Sequence, residues 1–313
     1  MLSRVAESLF WIGRNVERAE TIARVLDVNV NRVVDVYLAP TLDATQIWQS
    51  VVDAMSYSAP IELEPDPDVW KQALRFCAFS RENDYSLVSC IRIARSNAMS
   101  VKADLSTEAW EFINSLYHEV EQTEEEAVLS EGPSRFLHRV RDAAQGFAGV
   151  TDATLMHAEG WLFLQLGRFL ERMSLMVRII ESFHVREELS SEWQRLMEMC
   201  CAREPFIRSS RGAPTADDVF AFLLLEGNFP RSARFCARRV DETIRQVSGT
   251  PANTFGNEAE RLLGRVRAAL DFAQVQEIQR VGLGAFLATL REGSSEIGDA
   301  IEELYFPRTP LTA

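Results

Sequence analysis

Apolar residues recur along the first stretch of the chain at Val5, Leu9, Ile12, Val16, Ala19, Ala23, Leu26, Val30, Val33 and Tyr37, an unbroken alternation of three and four from Leu2. That period is one face of a helix, and it predicts a long helix over residues 2–38, stopped at Ala39-Pro40. The rhythm returns at Met156, Phe163, Leu166, Leu170, Met173, Val177 and Ile180, with Glu159 the one polar exception, and predicts a second long helix over 151–184. Shorter helices are expected at 41–55 (with Thr41 as cap), 69–79, 85–103, 107–129, 134–146, 192–203, 216–225, 230–247, 257–273 and 275–304. No alternating strand pattern of useful length interrupts them. The expected fold is all-α, a multi-helix bundle of about twelve helices.

The two long helices carry the same phrase. Gly13-Arg14-Asn15-Val16-Glu17-Arg18 returns as Gly167-Arg168-Phe169-Leu170-Glu171-Arg172, 154 residues later, close to half of 313. This predicts one domain over 1–313 made of two pseudo-duplicated halves, 1–150 and 151–313. A weaker echo relates Glu82-Asn83-Asp84-Tyr85-Ser86 to Glu226-Gly227-Asn228-Phe229-Pro230. Arg14 and Arg18 share a face away from the apolar seam, yet Trp11, Ile22, Val25 and Val36 lie there too. The first helix is therefore expected to be enclosed on more than one side, with its charges semi-buried. Unpaired buried charges cost several kcal/mol each. An approximate two-fold axis would satisfy them: Glu17 would meet Arg168 or Arg172, and Glu171 would meet Arg14 or Arg18. The glycines would let the helices approach closely where they cross.

Composition narrows the function. Hydrophobic residues at 47% and charged residues at 25% suit an ordinary globular chain, and only 11 Pro and 15 Gly favour long helices. A net charge of -13 argues against a nucleic-acid partner, which needs a basic footprint. Lys71 and Lys102 are the only lysines, so nearly every cation is an arginine, suited to bidentate carboxylate or phosphate contacts unless codon bias alone put it there. The longest apolar run, residues 219–225, is too short to cross a bilayer. Five cysteines without a Cys-x-x-Cys, and an N-terminus without an export signal, lead to the expectation of a cytoplasmic protein with no metal and no cofactor.

The doubled phrase is the strongest chemical feature. Arg14, Glu17, Arg18, Arg168, Glu171 and Arg172 form either a buried ion network that fixes helix register or an arginine-rich pocket for a carboxylate or phosphate group. Arg95 and Asn97, with Arg92, lie near one helix face, and Arg231 follows Pro230 at a helix start that could attract an anion. His118, His138, His157 and His184 are far apart, and the single Glu181-x-x-His184 falls short of a di-metal bundle, which needs that motif twice. Gly282-Leu283-Gly284 lacks a preceding strand, so it is no dinucleotide loop.

Taken together these residues resemble the alpha-E proteins, a bacterial family expected to be all-helical and named for its Glu-Arg motif. The matching segments are Met1 to Ala6, Leu9 to Glu20, Ile93-Ala94-Arg95-Ser96-Asn97-Ala98, Trp110 to Asn114, Gly160 to Arg172, and Phe229-Pro230-Arg231-Ser232. The family's middle segment typically reads Ala-Arg-Glu-Asn-Ala-Arg; here Ser96 and Met99 replace its Glu and second Arg. The resemblance implies partnership with a circularly permuted ATP-grasp protein, often with a transglutaminase-like peptidase nearby. The function expected from it is that of an accessory protein, helping an amide-bond ligase make or attach a small peptide. The alternative is an enzyme transferring or hydrolysing an aminoacyl or peptide group, with Glu17 or Glu171 as general base.

Overall fold

A computed structural model describes residues 1–32, 43–57, 61–183, 190–209 and 215–307. They form fifteen α-helices: α1 (Ser3–Val30), α2 (Ala44–Met55), α3 (Val69–Leu74, running on into a π turn, Arg75–Phe79), α4 (Leu87–Ser100), α5 (Thr107–Gln122), α6 (Glu125–Glu131), α7 (Ser134–Thr154), α8 (Glu159–Phe183), α9 (Ser190–Met199), α10 (Arg203–Ser209), α11 (Ala216–Leu225), α12 (Ala233–Ser248), α13 (Glu258–Phe272), α14 (Val275–Val281) and α15 (Leu283–Tyr305). No strand occurs among the described residues.

The central pair is α1 against α8. Both are buried on almost every side, so their polar residues go inside along with the seam: Asn15, Glu17, Arg18, Glu20, Thr21 and Arg24 on α1, and Gln165, Glu171 and Arg172 on α8. The two backbones touch at the glycines. A Cβ on Gly13 would overlap the Leu164 carbonyl oxygen and lie 3.0 Å from the Arg168 nitrogen. A Cβ on Gly167 would overlap the Phe10 carbonyl oxygen and lie 3.2 Å from the Arg14 nitrogen. Any side chain here would push the helices apart, and the charged residues one turn on would lose their reach.

The surrounding helices repeat one arrangement. In the first half α4 and α7 pack on α1 and are bridged by α5; in the second, α12 and α15 pack on α8 and are bridged by α13. The smaller helices trade places: α2 packs mainly on α8, and α9 mainly on α1. The helix starts match as well. Ser86 Oγ accepts from the Ser89 amide at 3.2 Å and donates to the Ser80 carbonyl at 2.6 Å. Ser232 Oγ accepts from the Phe235 amide at 3.0 Å and donates to the Glu226 carbonyl at 2.5 Å. The structural counterpart of Ser86 is thus Ser232, a spacing of 146 (232 − 86), so the echo between Glu82 and Glu226 is out of register by two residues.

Several expected boundaries differ. The helix expected over 107–129 breaks at Thr123-Glu124, and the one expected over 275–304 breaks at Gly282. Gly132 and Gly282 are counterparts, with φ of +103° and +96°, a conformation that favours glycine. Residues 151–154 belong to α7, not to the second long helix: Thr151 Oγ1 bonds the Phe147 carbonyl at 2.9 Å. The seam of α8 therefore begins at Phe163, while Met156 stays exposed in the turn before it. The cap of α2 is Asp43, which accepts from the Thr45 and Gln46 amides; Thr41, residues 33–38 and His184 lie outside the described residues. The short α10 was not expected.

Candidate functional site

Two charged centres form where α1 and α8 cross, each with a glutamate of one helix facing the arginines of the other helix's phrase. Glu171 has no exposed surface. Its Oε2 accepts from Arg14 Nε at 2.8 Å, and its Oε1 accepts from Arg18 Nε at 2.6 Å and from the Tyr57 hydroxyl at 3.1 Å. The Arg18 guanidinium lies 4.5 Å from the Tyr57 ring centre and 4.8 Å from that of Tyr85, cation–π distances that help offset its desolvation. Burial alone would raise the Glu171 carboxyl, but Arg18 and Arg14 override it and hold it at about 2. Burial, with the Glu171 charge beside it, pushes the Tyr57 phenol up, so it remains a donor.

The second centre inverts the arrangement. Arg172 grips Glu17 as a fork, Nε to Oε1 at 2.6 Å and Nη2 to Oε2 at 2.7 Å. Arg168 Nε and Arg231 Nη1 each lie 3.5 Å from Glu17 carboxylate oxygens. Arg231 Nη2 also donates to both oxygens of Glu20 at 3.0 Å, and Glu20 further pairs with Arg24 and accepts from Gln145 Nε2 at 3.0 Å. Arg24 in turn donates to Cys201 Sγ. Burial would raise Glu17, but Arg172, then Arg231 and Arg168, hold it far below the usual carboxylate range. Four arginines here face two carboxylates, an excess of positive charge in a buried setting. Burial and then neighbouring Arg231 bring Arg24 down to about 10, and burial and then Arg172 lower Arg168.

Within each phrase the two arginines divide the work. The second, Arg18 or Arg172, is sealed inside. The first reaches outward: Arg14 gives Nε to Glu171 and leaves its two terminal nitrogens without a hydrogen bond, and Arg168 holds Glu17 only loosely, its Nε 3.5 Å from the carboxylate. Arg168 lines a cavity of about 40 Å³ with Glu17, Glu20 and Arg231, whereas Arg14 lines a cleft of about 570 Å³.

Residues 1–306 match the family described as a predicted alpha-helical domain with a conserved ER motif. The chain belongs to the Alpha-E family. Among curated proteins, it is 22% identical over 320 residues to the uncharacterised protein Rv2567 of Mycobacterium tuberculosis, covering 93% of this chain and 35% of that protein. The uncharacterised protein Mb2597 of Mycobacterium bovis gives the same identity and coverage. The chain thus spans about a third of the length of the curated relatives it matches. No solved structure matches it.

Of the other residues singled out in this Alpha-E chain, Arg231 joins the second centre, while Arg95 and Asn97 do not join either. Arg95 reaches Asn114 at 3.3 Å and lies over the rings of Tyr117 and Trp110 on α5, and Asn97 bonds back to the Ile93 carbonyl of its own helix. Sequence reasoning missed Tyr57, Glu20 and Arg24 as members. Glu20 and Arg24 had a signal, an i,i+4 pair one turn beyond Arg18 on a helix already expected to be enclosed. Tyr57 had none. Burial pushes the thiols of Cys77, Cys90, Cys200 and Cys236 up to about 12, which leaves them neutral and poor nucleophiles at neutral pH. Among the described residues no helix is long and apolar enough to cross a membrane.

Proposed function

We propose that this Alpha-E protein is an accessory helical module that acts with a circularly permuted ATP-grasp amide-bond ligase, in the cytoplasm, to make or attach a small peptide. The observation that carries this reading is the state of the two carboxylates. Glu17 and Glu171 are enclosed and hydrogen-bonded by arginine, and each is held well below neutrality. A general base needs an accessible carboxylate that titrates near the working pH. Fixed anions of this kind instead hold Arg14 and Arg168 in place as handles for a ligand carboxylate or phosphate. The share of the mycobacterial relatives that the chain covers supports the partnership: a module of this type occurs there within a polypeptide about three times its matched length. A transglutaminase-like peptidase is a second partner consistent with the family setting.

The test is to purify the chain and a circularly permuted ATP-grasp protein from the same genome, mix them at micromolar concentration and pass them over a sizing column. Co-elution is expected, with faster amide-bond formation by the ligase when the chain is present. Separate elution, with ligase turnover unchanged, would overturn the reading.

A further inference from the structure

The cleft of about 570 Å³ beside Arg14 is chemically two-sided. Its inner wall holds Arg14, only 12% exposed, with Nε committed to Glu171 and both terminal nitrogens free of hydrogen bonds. Its outer wall is α15. There Gly298 faces the arginine, where a Cβ would lie 3.6 Å from Arg14 Nη1, and the next residue is Asp299, with Glu296 one turn back. Neither Glu296 nor Asp299 makes an ion pair among the described residues. The other charged groups on the walls are already engaged. Arg178 Nε donates to the Ala54 carbonyl at 3.0 Å and Nη2 to the Asp53 carbonyl at 3.0 Å, which ties the end of α2 to α8 and makes that wall rigid. Arg291 pairs with Glu181 at 3.2 Å.

Glu292 lies 3.9 Å from Arg291, and Glu296 shares its charge with Arg261 on α13; what remains is one pair of guanidinium donors on one side and, on the other, Asp299 with Glu296 beside it. A phosphate ester would meet the arginine but be repelled by Glu296 and Asp299. A ligand with a carboxylate at one end and an ammonium group at the other would satisfy both sides. The volume falls in the range of small-molecule sites. Arg14 is also well suited to discriminate, because a planar guanidinium with two adjacent N–H groups takes a carboxylate bidentately.

We propose that this cleft binds a zwitterionic amino acid or short peptide, its carboxylate on Arg14 Nη1 and Nη2 and its ammonium group against Glu296 and Asp299. The proposal rests on the reading of Arg14 as an anion handle and adds the chemistry of the ligand.

Calorimetric titration of the full chain, without any partner, tests it with three probes: alanyl-alanine, its N-acetyl form and its C-terminal amide. The free dipeptide is expected to bind, and each capped form to bind more weakly by about tenfold or more. Asp299→Asn should weaken the free dipeptide and leave the N-acetyl form unchanged; Arg14→Lys should weaken both of these and leave the amide unchanged. Arg14 also supports Glu171, so circular dichroism checks the folding of Arg14→Lys, and the exposed Asp299→Asn carries the test alone if that variant unfolds. No heat at millimolar dipeptide, or equal binding of free and capped forms, would sink the proposal. Dipeptide binding without ligase association would remove the partnership and keep the cleft; ligase association without dipeptide binding would do the reverse.

Discussion

A carboxylate with no exposed surface is defined by its neighbours, and Glu171 has three donors on two oxygens. Its removal would strand the Arg18 guanidinium, 4% exposed, without a counter-charge. Glu171→Ala is therefore expected to cost about 3–5 kcal/mol in chemical denaturation, as for other broken buried pairs; an unchanged midpoint would refute the buried network. The pH dependence follows from the same contacts. Glu171 is held at about 2 against an ordinary 4.5, so its stabilisation is whole above the unfolded value and is lost as pH falls through the folded one. The gap in denaturation midpoint between wild type and Glu171→Gln should therefore shrink as pH drops from about 5 to about 2. A gap constant over that window would mean that the charge of Glu171 adds nothing. The pairing across the halves was legible in the sequence because a buried phrase with two cations and one anion demands a partner, and its copy supplies one. Tyr57 and Tyr85 were not legible: each reaches the centre through tertiary packing, from a segment whose local pattern says nothing of where it lands.

Between elements, the decisive contact is the glycine crossing of α1 and α8. Gly13→Ala would drive a methyl group into the Leu164 carbonyl, which is backbone and cannot turn away. A loss of about 3 kcal/mol or more is expected, at the upper end for overpacking. Gly149 in α7 is the matched control, with nothing within 4 Å of an added Cβ. Gly149→Ala should raise stability by about 0.5–1 kcal/mol through helix propensity alone. Thermal melts of the two variants moving in the same direction would contradict this account of the crossing. The same scale explains which helix boundaries could be read. The period-3.6 seams of α1 and α8 fixed their existence and partners, because both helices are enclosed along their length. The break at Thr123-Glu124 left no trace: it needs only two residues in extended conformation, with no proline or glycine to mark it, whereas the equivalent break at Ala273-Gln274 was read.

For the whole molecule, the important feature is that each half lends parts to the other. α2 leans on α8, α9 leans on α1, and each buried carboxylate finds its arginines across the crossing. Neither 1–155 nor 156–313 is expected to unfold cooperatively alone, while an equimolar mixture of the two should recover a cooperative transition by circular dichroism. A sharp transition in either fragment by itself would show that the halves are self-sufficient. Such long-range pairing also predicts slow folding for a helical protein, because the contacts that matter are separated by half the chain.

The order of synthesis gives this arrangement a further consequence. α1, loaded with buried polar residues, leaves the ribosome before α8, and Glu17 lacks its Arg172 counter-ion until some 155 residues more have been made. Throughout that interval α1 can neither close its core nor shed water from its charges. The first half is expected to wait as an open, hydrated intermediate that closes in steps, as α8 brings Arg172 to Glu17 and the later arrival of α9 and Arg231 completes the cover.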